Sequence, residues 1–341
     1  MKLKSKNIIN NKTILVTGGT GSFGSSFINY ILRFKPKKII IYSRDELKQF
    51  EMEKKYSLEE KKLLRFFIGD VRDKQRLVMA TRDVDIIIHA AALKHVEIAE
   101  YNPQEFIKTN IHGAENIIYA SIENKVRYIL ALSTDKASNP INLYGATKLA
   151  SDKLFIAANN IIGNQKTRFS IVRYGNVIDS RGSLIGILRK VVKQKNKKFN
   201  LTDKKMTRFF MTLEESVKFV VKSLEYMQGG EIFIPKLPSI RIYDLVKSLD
   251  EKINIKIVGK KPGEKIHESL FSSDEASNID EYSNFFILKP TILITSKVKS
   301  FSKINEKKIK NSKFKDLDYN SKVSLDLSKN VMQKVKKIFE N

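Results

Sequence analysis

Tyr144 and Lys148 are the two residues of this chain whose types and spacing most directly suggest chemistry. Four positions apart on a helix, they share one face. An ammonium in that position stabilises a phenolate and can anchor a ribose, so the phenol can take a proton from a hydroxyl during hydride transfer. The pair opens a helical segment that follows an apolar run ending in Ser133-Thr134.

Hydride transfer needs a dinucleotide, and the chain carries a cradle for one. In Thr17-Gly-Gly-Thr-Gly-Ser-Phe-Gly24, Gly18, Gly21 and Gly24 recur every three residues where the first strand hands over to the first helix. Glycine permits the positive φ of the turn and lets backbone approach a pyrophosphate, which the helix N-terminus attracts. Thr20, Ser22 and Phe23 complete the contact segment. After the second strand, Arg44 stands where an acidic residue would hold a ribose 2′-hydroxyl. Arginine suits a 2′-phosphate, and Ser43 adds a hydroxyl, so NADP is expected rather than NAD. Asp45 either caps the next helix or contacts ribose. Asp70-Val71 after the third strand is expected beside adenine, with Asp73 as a helix cap. The small residues Ala90, Ala91 and Ala92 let backbone pass close to the cofactor after the fourth strand.

The elements that must position these residues follow from periodicity. Thr13–Thr17, Lys38–Tyr42, Leu64–Ile68, Asp85–His89, Tyr128–Leu132 and Phe169–Arg173 read as strands. Helical segments are predicted at Ser22–Arg33, Asp45–Lys55, Lys74–Thr81, Pro103–Glu123, Asn142–Asn160, Leu184–Lys195 and Leu213–Met227, with a capped helix at Ser328–Phe339. Continuous apolar strands alternating with helices predict an α/β fold, a Rossmann-like doubly wound parallel sheet with a smaller C-terminal substrate-binding lobe. The expected division is an NADP-binding domain at 1–174, with 213–227 packing back on it. The lobe comprises 175–212 and 228–296, and a lysine-rich extension covers 297–341.

With 63 Lys and Arg against 37 Asp and Glu, the 341-residue chain has a formal charge of +26. Because lysine is spread along the whole chain, this reads as compositional bias with an anionic small-molecule substrate, and no nucleic-acid partner is expected. The absence of cysteine excludes disulfides, thiolate nucleophiles and cysteine-ligated metals. His89, His95, His112 and His267 lack metal-ligand spacing, so no metal site is expected. His89 and His267 read as structural. Met1–Asn11 has no apolar core of signal length and no run reaches a membrane span, which predicts a soluble cytoplasmic protein without a membrane partner.

The glycine turn, the Ser-Thr-Asp strand end and the Tyr-x-x-x-Lys pair resemble the extended short-chain dehydrogenase/reductase family. A narrower resemblance rests on Ser133-Thr-Asp-Lys136 followed by Asn139-Pro-Ile-Asn-Leu-Tyr-Gly-Ala-Thr-Lys148. It continues through Ser43–Gln49, Ala92–Val96, Asn176–Ser183, Lys205–Thr212, Gly230–Lys236 and Pro262–His267, with a weaker echo at Tyr319–Ser321. This pattern is similar to the inverting UDP-N-acetylglucosamine 4,6-dehydratases (5-epimerising) of pseudaminic acid biosynthesis. A UDP-sugar 4-epimerase or a configuration-retaining 4,6-dehydratase is the alternative.

The resemblance implies a redox-neutral cycle: C4 is oxidised, the C6 hydroxyl is eliminated, and the hydride returns to C6. Retaining relatives carry Asp-Glu after the threonine, whereas this chain has Asp135-Lys136. The resemblance thus implies Lys136 as the C5 base, Asp135 as the acid for the departing hydroxyl, and Thr134 as hydrogen-bond donor to the C4 oxygen. An ordinary lysine needs about 4–5 kcal/mol to be neutral at pH 7. Burial and the Lys148 charge are expected to lower that cost; otherwise Asp135 is the base and Lys136 the acid. Arg181 and Arg208 are expected on the diphosphate, Asn176 on the sugar or its phosphates, and Glu264 on the uridine ribose. Arg241 and Lys94 are further lining candidates, Lys94 also toward the cofactor. A homo-oligomer, hexamer or dimer, is expected.

Overall fold

The computed structural model describes residues 8–178, 180, 182–292, 294, 304 and 306–324, plus 332–333, 335–337 and 339 in the tail. Six parallel strands form its centre: β1 (Thr13–Thr17), β2 (Lys38–Ser43), β3 (Leu64–Ile68), β4 (Ile86–His89), β5 (Tyr128–Thr134) and β6 (Arg168–Tyr174). They lie in the order β3-β2-β1-β4-β5-β6, so the order reverses between β1 and β4. Ligands of doubly wound sheets bind outside the carboxyl ends of the strands at that switch point. Every residue of β1 and β4 is buried, as helices on both faces require.

The sheet does not stop at β6. Ile232–Pro235 pairs parallel to it, and Phe285–Leu288 and Ile279–Glu281 extend the edge antiparallel to a total of nine strands. This corrects the expected assignment of all of 228–296 to the second lobe. The smaller lobe is instead built on the three-stranded sheet of Asn176–Val177, Thr207–Met211 and Ser239–Arg241. Helices Leu184–Val192 and Ile242–Leu249 pack there around a separate core containing Leu188, Phe210 and Leu245. Helix Leu213–Tyr226 packs back on helix Ser22–Leu32.

The expected helix Pro103–Glu123 is interrupted by a π-helical turn at Ile107–His112. The wider turn carries Asn110, whose amide bonds both the N–H and C=O of Leu93 and donates to Thr147 Oγ1 at 3.0 Å. That fixes the loop after β4 against the helix bearing Tyr144. Helices Leu58–Leu63 and Val96–Tyr101 and the strand Tyr319–Asn320 are elements that periodicity did not predict. Tyr319–Asn320 pairs antiparallel with Ser269–Phe271, and the Tyr319 ring packs among Phe209, Phe271, Phe286 and Phe314. Of the predicted helix Ser328–Phe339, six of the twelve positions lie outside the described residues and the other six are helical.

Candidate active site

The turn after β1 has room for backbone and nothing more. Gly18 has φ +64°, and a Cβ there would sit 3.0 Å from Ala91 backbone. A Cβ on Gly24 would fall 2.6 Å from Gly18 O and from Gly19 Cα. Helix Ser22–Leu32 starts at Gly21 without a side-chain cap, so its positive end faces a cavity of about 630 Å³. Gly18, Gly21, Ser22, Phe23 and Gly24 line that cavity, joined by Ala90, Ala92 and Lys94. Gly24→Ala is expected to weaken dinucleotide binding by roughly 10- to 100-fold, since overpacking of this kind costs about 1–3 kcal/mol. Nucleotide released from the purified, denatured variant measures this; full retention would show that the turn is not the cradle.

The other cofactor candidates cluster at the ends of β1, β2 and β3, off the lining of that cavity. Thr20 Oγ1 and Ser43 Oγ lie 2.8 Å apart. The Arg44 guanidinium is 58% exposed and 3.8 Å from Asp70 Oδ2. Burial opposes ionisation of Asp70, but hydrogen bonds and charge from Arg72, with Arg44 beyond, hold its carboxyl below the usual range. Asp45 accepts from Lys48 N as the cap of helix Glu46–Glu53, and Asp73 caps Lys74–Ala80 in the same way. Val71 is buried against Gly113. Thr17 Oγ1 accepts from the N–H groups of Ala90 and Ala91 at 3.2 Å and meets His89 Nδ1 at 2.8 Å. Burial drives the His89 pKa down to about 3, so it is a neutral core histidine.

Across the cavity, Asn142 caps the helix Leu143–Ala158 by accepting from Gly145 N and ties it to Gly263 O. A Cβ on Gly145 would lie 2.2 Å from Lys136 O. Only glycine lets this helix rest directly on the short turn Asp135–Ala137, which brings Tyr144 beside Thr134 and Lys136. Tyr144 is hydrogen-bonded to Thr134, and burial pushes its phenol up to about 12 while the Lys136 charge pulls the other way. Lys148 Nζ donates to Leu132 O at 2.7 Å, and burial lowers its pKa against the nearby Asp152 carboxylate. Of the two lysines, it is Lys136 whose charge favours the ionised phenol in this arrangement.

Asp135 Oδ1 accepts from Thr134 Oγ1 and from Lys136 Nζ, both at 3.0 Å. A second carboxylate, Glu268 Oε1, lies 3.3 Å from the same ammonium, and Arg208 Nε stands 3.8 Å from Glu268. Burial alone would drive the Lys136 amine down, but Asp135 and Glu268 outweigh it and hold the ammonium above the ordinary lysine range. Two carboxylates, not Lys148, dominate its surroundings, which favours the open alternative of Asp135 as base and Lys136 as acid. Burial pushes the Asp135 carboxyl up, and its Oδ2 has no hydrogen-bond partner. That oxygen points toward Gly175, which lines the cavity.

Behind Lys148, Asp152 accepts from Ser133 Oγ at 2.8 Å and from the fully buried Arg173 at 3.4 Å. Arg173 in turn grips both oxygens of Glu275 and the Leu270 carbonyl.

On the substrate side, Lys94 and Asn176 line the cavity. Arg208 instead donates to the carbonyls of Thr207, Lys265 and Ile266, its guanidinium committed to the segment leading to Glu268. Glu264 accepts from Thr202 Oγ1 at 2.6 Å, and Arg241 pairs with Asp244 on the surface. None of these three lines the cavity. Arg181 lies outside the described residues. Glu268, Asp152 and Arg173 were missed by sequence reasoning. The available signals were the helical spacing of Lys148 and Asp152 and the position of Glu268 directly after the Pro262–His267 motif. Among the described residues there is no cluster able to hold a metal ion, and no helix is long and apolar enough to cross a membrane.

A sheet of this order, a glycine turn at its switch point and a Tyr-x-x-x-Lys helix beside the end of β5 define an extended short-chain dehydrogenase/reductase. Within that class, the model of a family described as polysaccharide biosynthesis protein matches residues 14–290, and the chain belongs to that family. The chain is 55% identical over 310 residues to the UDP-N-acetylglucosamine 4,6-dehydratase (inverting) of Campylobacter jejuni subsp. jejuni, covering 91% of this chain and 92% of that protein. It is 44% identical over 283 residues to a UDP-glucose 4-epimerase of Rickettsia bellii, covering 81% and 82%. The X-ray structure of Pen from Bacillus thuringiensis shares its fold with a TM-score of 0.84 at 34% identity, covering 96% of this chain and 99% of that one.

Proposed function

We propose that this chain is a UDP-N-acetylglucosamine 4,6-dehydratase that inverts C5 and uses tightly held NADP. The observation that carries the reading is the Asp135–Lys136 pair, 3.0 Å apart, whose lysine lines one cavity together with Tyr144. A tyrosine that takes the C4 hydroxyl proton is enough for an epimerase; a proton-accepting and proton-donating pair beside it serves elimination of water. The similarity to the inverting Campylobacter enzyme supports the same reading.

The glycine turn fits a dinucleotide, because a Cβ at Gly18 or Gly24 would collide with the backbone of Ala91 or of Gly18–Gly19, and only the tight turn this leaves puts the helix N-terminus at the cavity where a pyrophosphate would sit. Gly18–Gly24 would hold the pyrophosphate and Lys148 the nicotinamide ribose. When bound, the dinucleotide would supply a hydride acceptor for C4 in its oxidised form and, once reduced, the hydride donor for C6. Tyr144 accepts the C4 hydroxyl proton, with Thr134 on the same oxygen. The new ketone acidifies C5–H. Lys136 begins as an ammonium, so Asp135 takes the C5 proton and Lys136 gives one to the C6 oxygen as water departs. The Asp135–Lys136 hydrogen bond lets the abstracted proton cross the pair and return to C5 from Lys136 on the opposite face. Tyr144 then releases its proton to restore the ammonium. Lys94 and Asn176 would meet the sugar nucleotide, with Arg181 on its diphosphate.

Incubating the purified protein with UDP-N-acetylglucosamine, without added cofactor, tests this. The expected product shows a 6-methyl NMR signal and inverted C5. Similarity to the Rickettsia 4-epimerase favours the second reading, which predicts C4 inversion with no methyl signal.

Arg44 and Ser43 support NADP over NAD. Arg44→Ala is expected to lower the NADP preference about tenfold or more, the worth of one charge-assisted phosphate contact. The NADP-to-NAD ratio of nucleotide retained by wild type and variant measures it. The same reading makes the protein a cytoplasmic homo-oligomer, dimer or hexamer, whose product feeds pseudaminic acid biosynthesis. Light scattering and cell fractionation test assembly and location; a gene deletion that leaves pseudaminic acid intact would exclude the pathway.

A further inference from the structure

We infer that Glu268 is a positioning residue for proton transfer: it shares the Lys136 ammonium with Asp135, and the strand Tyr319–Asn320 with Ser321 clamps it in place. The inference rests on the reading of Asp135 and Lys136 as the proton-transfer pair.

The Glu268 side chain is only 4% exposed, its Oε1 is 3.3 Å from Lys136 Nζ, and its Oε2 has no hydrogen-bond partner. Burial opposes its ionisation, but Lys136, Arg208 and Lys265 outweigh that and hold its carboxyl below the usual range. A buried carboxylate with an unsatisfied oxygen is costly, and it persists only where neighbouring structure enforces it. Ser321 supplies the enforcement. Its N–H donates to Glu268 O at 2.8 Å, and its Oγ accepts from Glu268 N at 3.0 Å. Ser321 Oγ also donates to Thr207 O and meets Thr207 Oγ1, so the clamp is anchored on the strand carrying Arg208. Residues far apart in sequence thus converge on one lysine. The charged or titratable groups facing that lysine are Asp135, Glu268, Arg208, Lys265 and Tyr144.

With one carboxylate on each side, the ammonium stays charged when Asp135 takes up the C5 proton. Without Glu268, protonation of Asp135 would leave Lys136 facing only cations and the phenol, and its proton would be lost prematurely.

The test uses the full chain with lysine side chains carrying a ¹³C label, Lys136 being assigned by its loss in Lys136→Met. Removing a nearby carboxylate destabilises the ammonium, so Glu268→Gln is expected to lower the Lys136 titration by about one pH unit, a tenfold change in acid dissociation. The alkaline limb of kcat should move to lower pH with it, while KM stays near the wild-type value. Glu268→Asp should restore part of both shifts. Ser321→Ala keeps the carboxylate but loosens the clamp, and should shift the titration the same way. If neither Glu268→Gln nor Ser321→Ala moves the titration, the inference is overturned, whatever happens to activity. A shifted titration in a protein whose wild type leaves UDP-N-acetylglucosamine unchanged would uphold the electrostatic role and remove the dehydratase reading instead.

Discussion

Tyr144→Phe is expected to cut turnover of UDP-N-acetylglucosamine by about 10²- to 10⁴-fold, the range for loss of a positioned acid–base group. The change removes one oxygen and keeps the ring, which is buried in a small cluster with Ala99 and Phe106. The fold and the dinucleotide content should therefore be unchanged. Raised to about 12 by burial, the phenol would need roughly 7 kcal/mol to ionise at pH 7. Lys136 and Thr134 bring that cost down, and under the proposed function a bound oxidised dinucleotide would lower it further. Solvent deuterium uptake at C5 should fall in parallel with turnover, because C5–H is not acidic until C4 is a ketone. Uptake that persists in Tyr144→Phe would mean that another group takes the C4 hydroxyl proton.

The second large effect separates the members of the Asp135–Lys136 pair. Asp135→Asn is expected to abolish both water loss and C5 deuterium uptake, with a rate loss of about 10²- to 10⁴-fold. Lys136→Met should block water loss to a similar extent. Its recovered UDP-N-acetylglucosamine should nevertheless carry C5 deuterium, because Asp135 can still remove and return that proton. Mass spectrometry of recovered substrate beside NMR of product reads both quantities. The reverse pattern, uptake lost in Lys136→Met and kept in Asp135→Asn, would make the amine the base. That outcome would require the ammonium to surrender its proton against two carboxylates, at more than the roughly 4–5 kcal/mol an unperturbed lysine needs.

Local signals made half of this site readable in advance. The glycine turn, the strand before it and the helix after it are adjacent in sequence, so spacing alone located Gly18–Gly24 at a helix N-terminus. Tyr144 and Lys148 are likewise positioned by one helix, whose Asn142 cap lies two residues before the tyrosine. What sequence spacing could not show was through-space charge. Lys136 has one carboxylate next to it in the chain and another 132 positions away, and the distant one was invisible until the C-terminal segment was placed. Spacing likewise gave no sign that the Arg208 guanidinium donates to carbonyls of the neighbouring segment. The return of Ile232–Pro235 and Phe285–Leu288 to the sheet depends on which edge is unpaired after β6, and local periodicity carries no information about that.

Arg173 acts as a rivet. Its guanidinium, itself out of water, fastens the helix that bears Tyr144 and Lys148 to a stretch about a hundred residues later. Cutting such a buried ion pair on one side costs about 3–5 kcal/mol, because the abandoned charge has nowhere to be solvated. A separately expressed piece ending near Gly175 would contain every residue of the glycine turn and the tyrosine helix. It would still lack Glu275 and Leu270, leaving the rivet unset and water admitted around Asp152 and Lys148. The two halves must mature as one cooperative body, so this catalyst is not one that can be assembled by exchanging modules at the obvious seam.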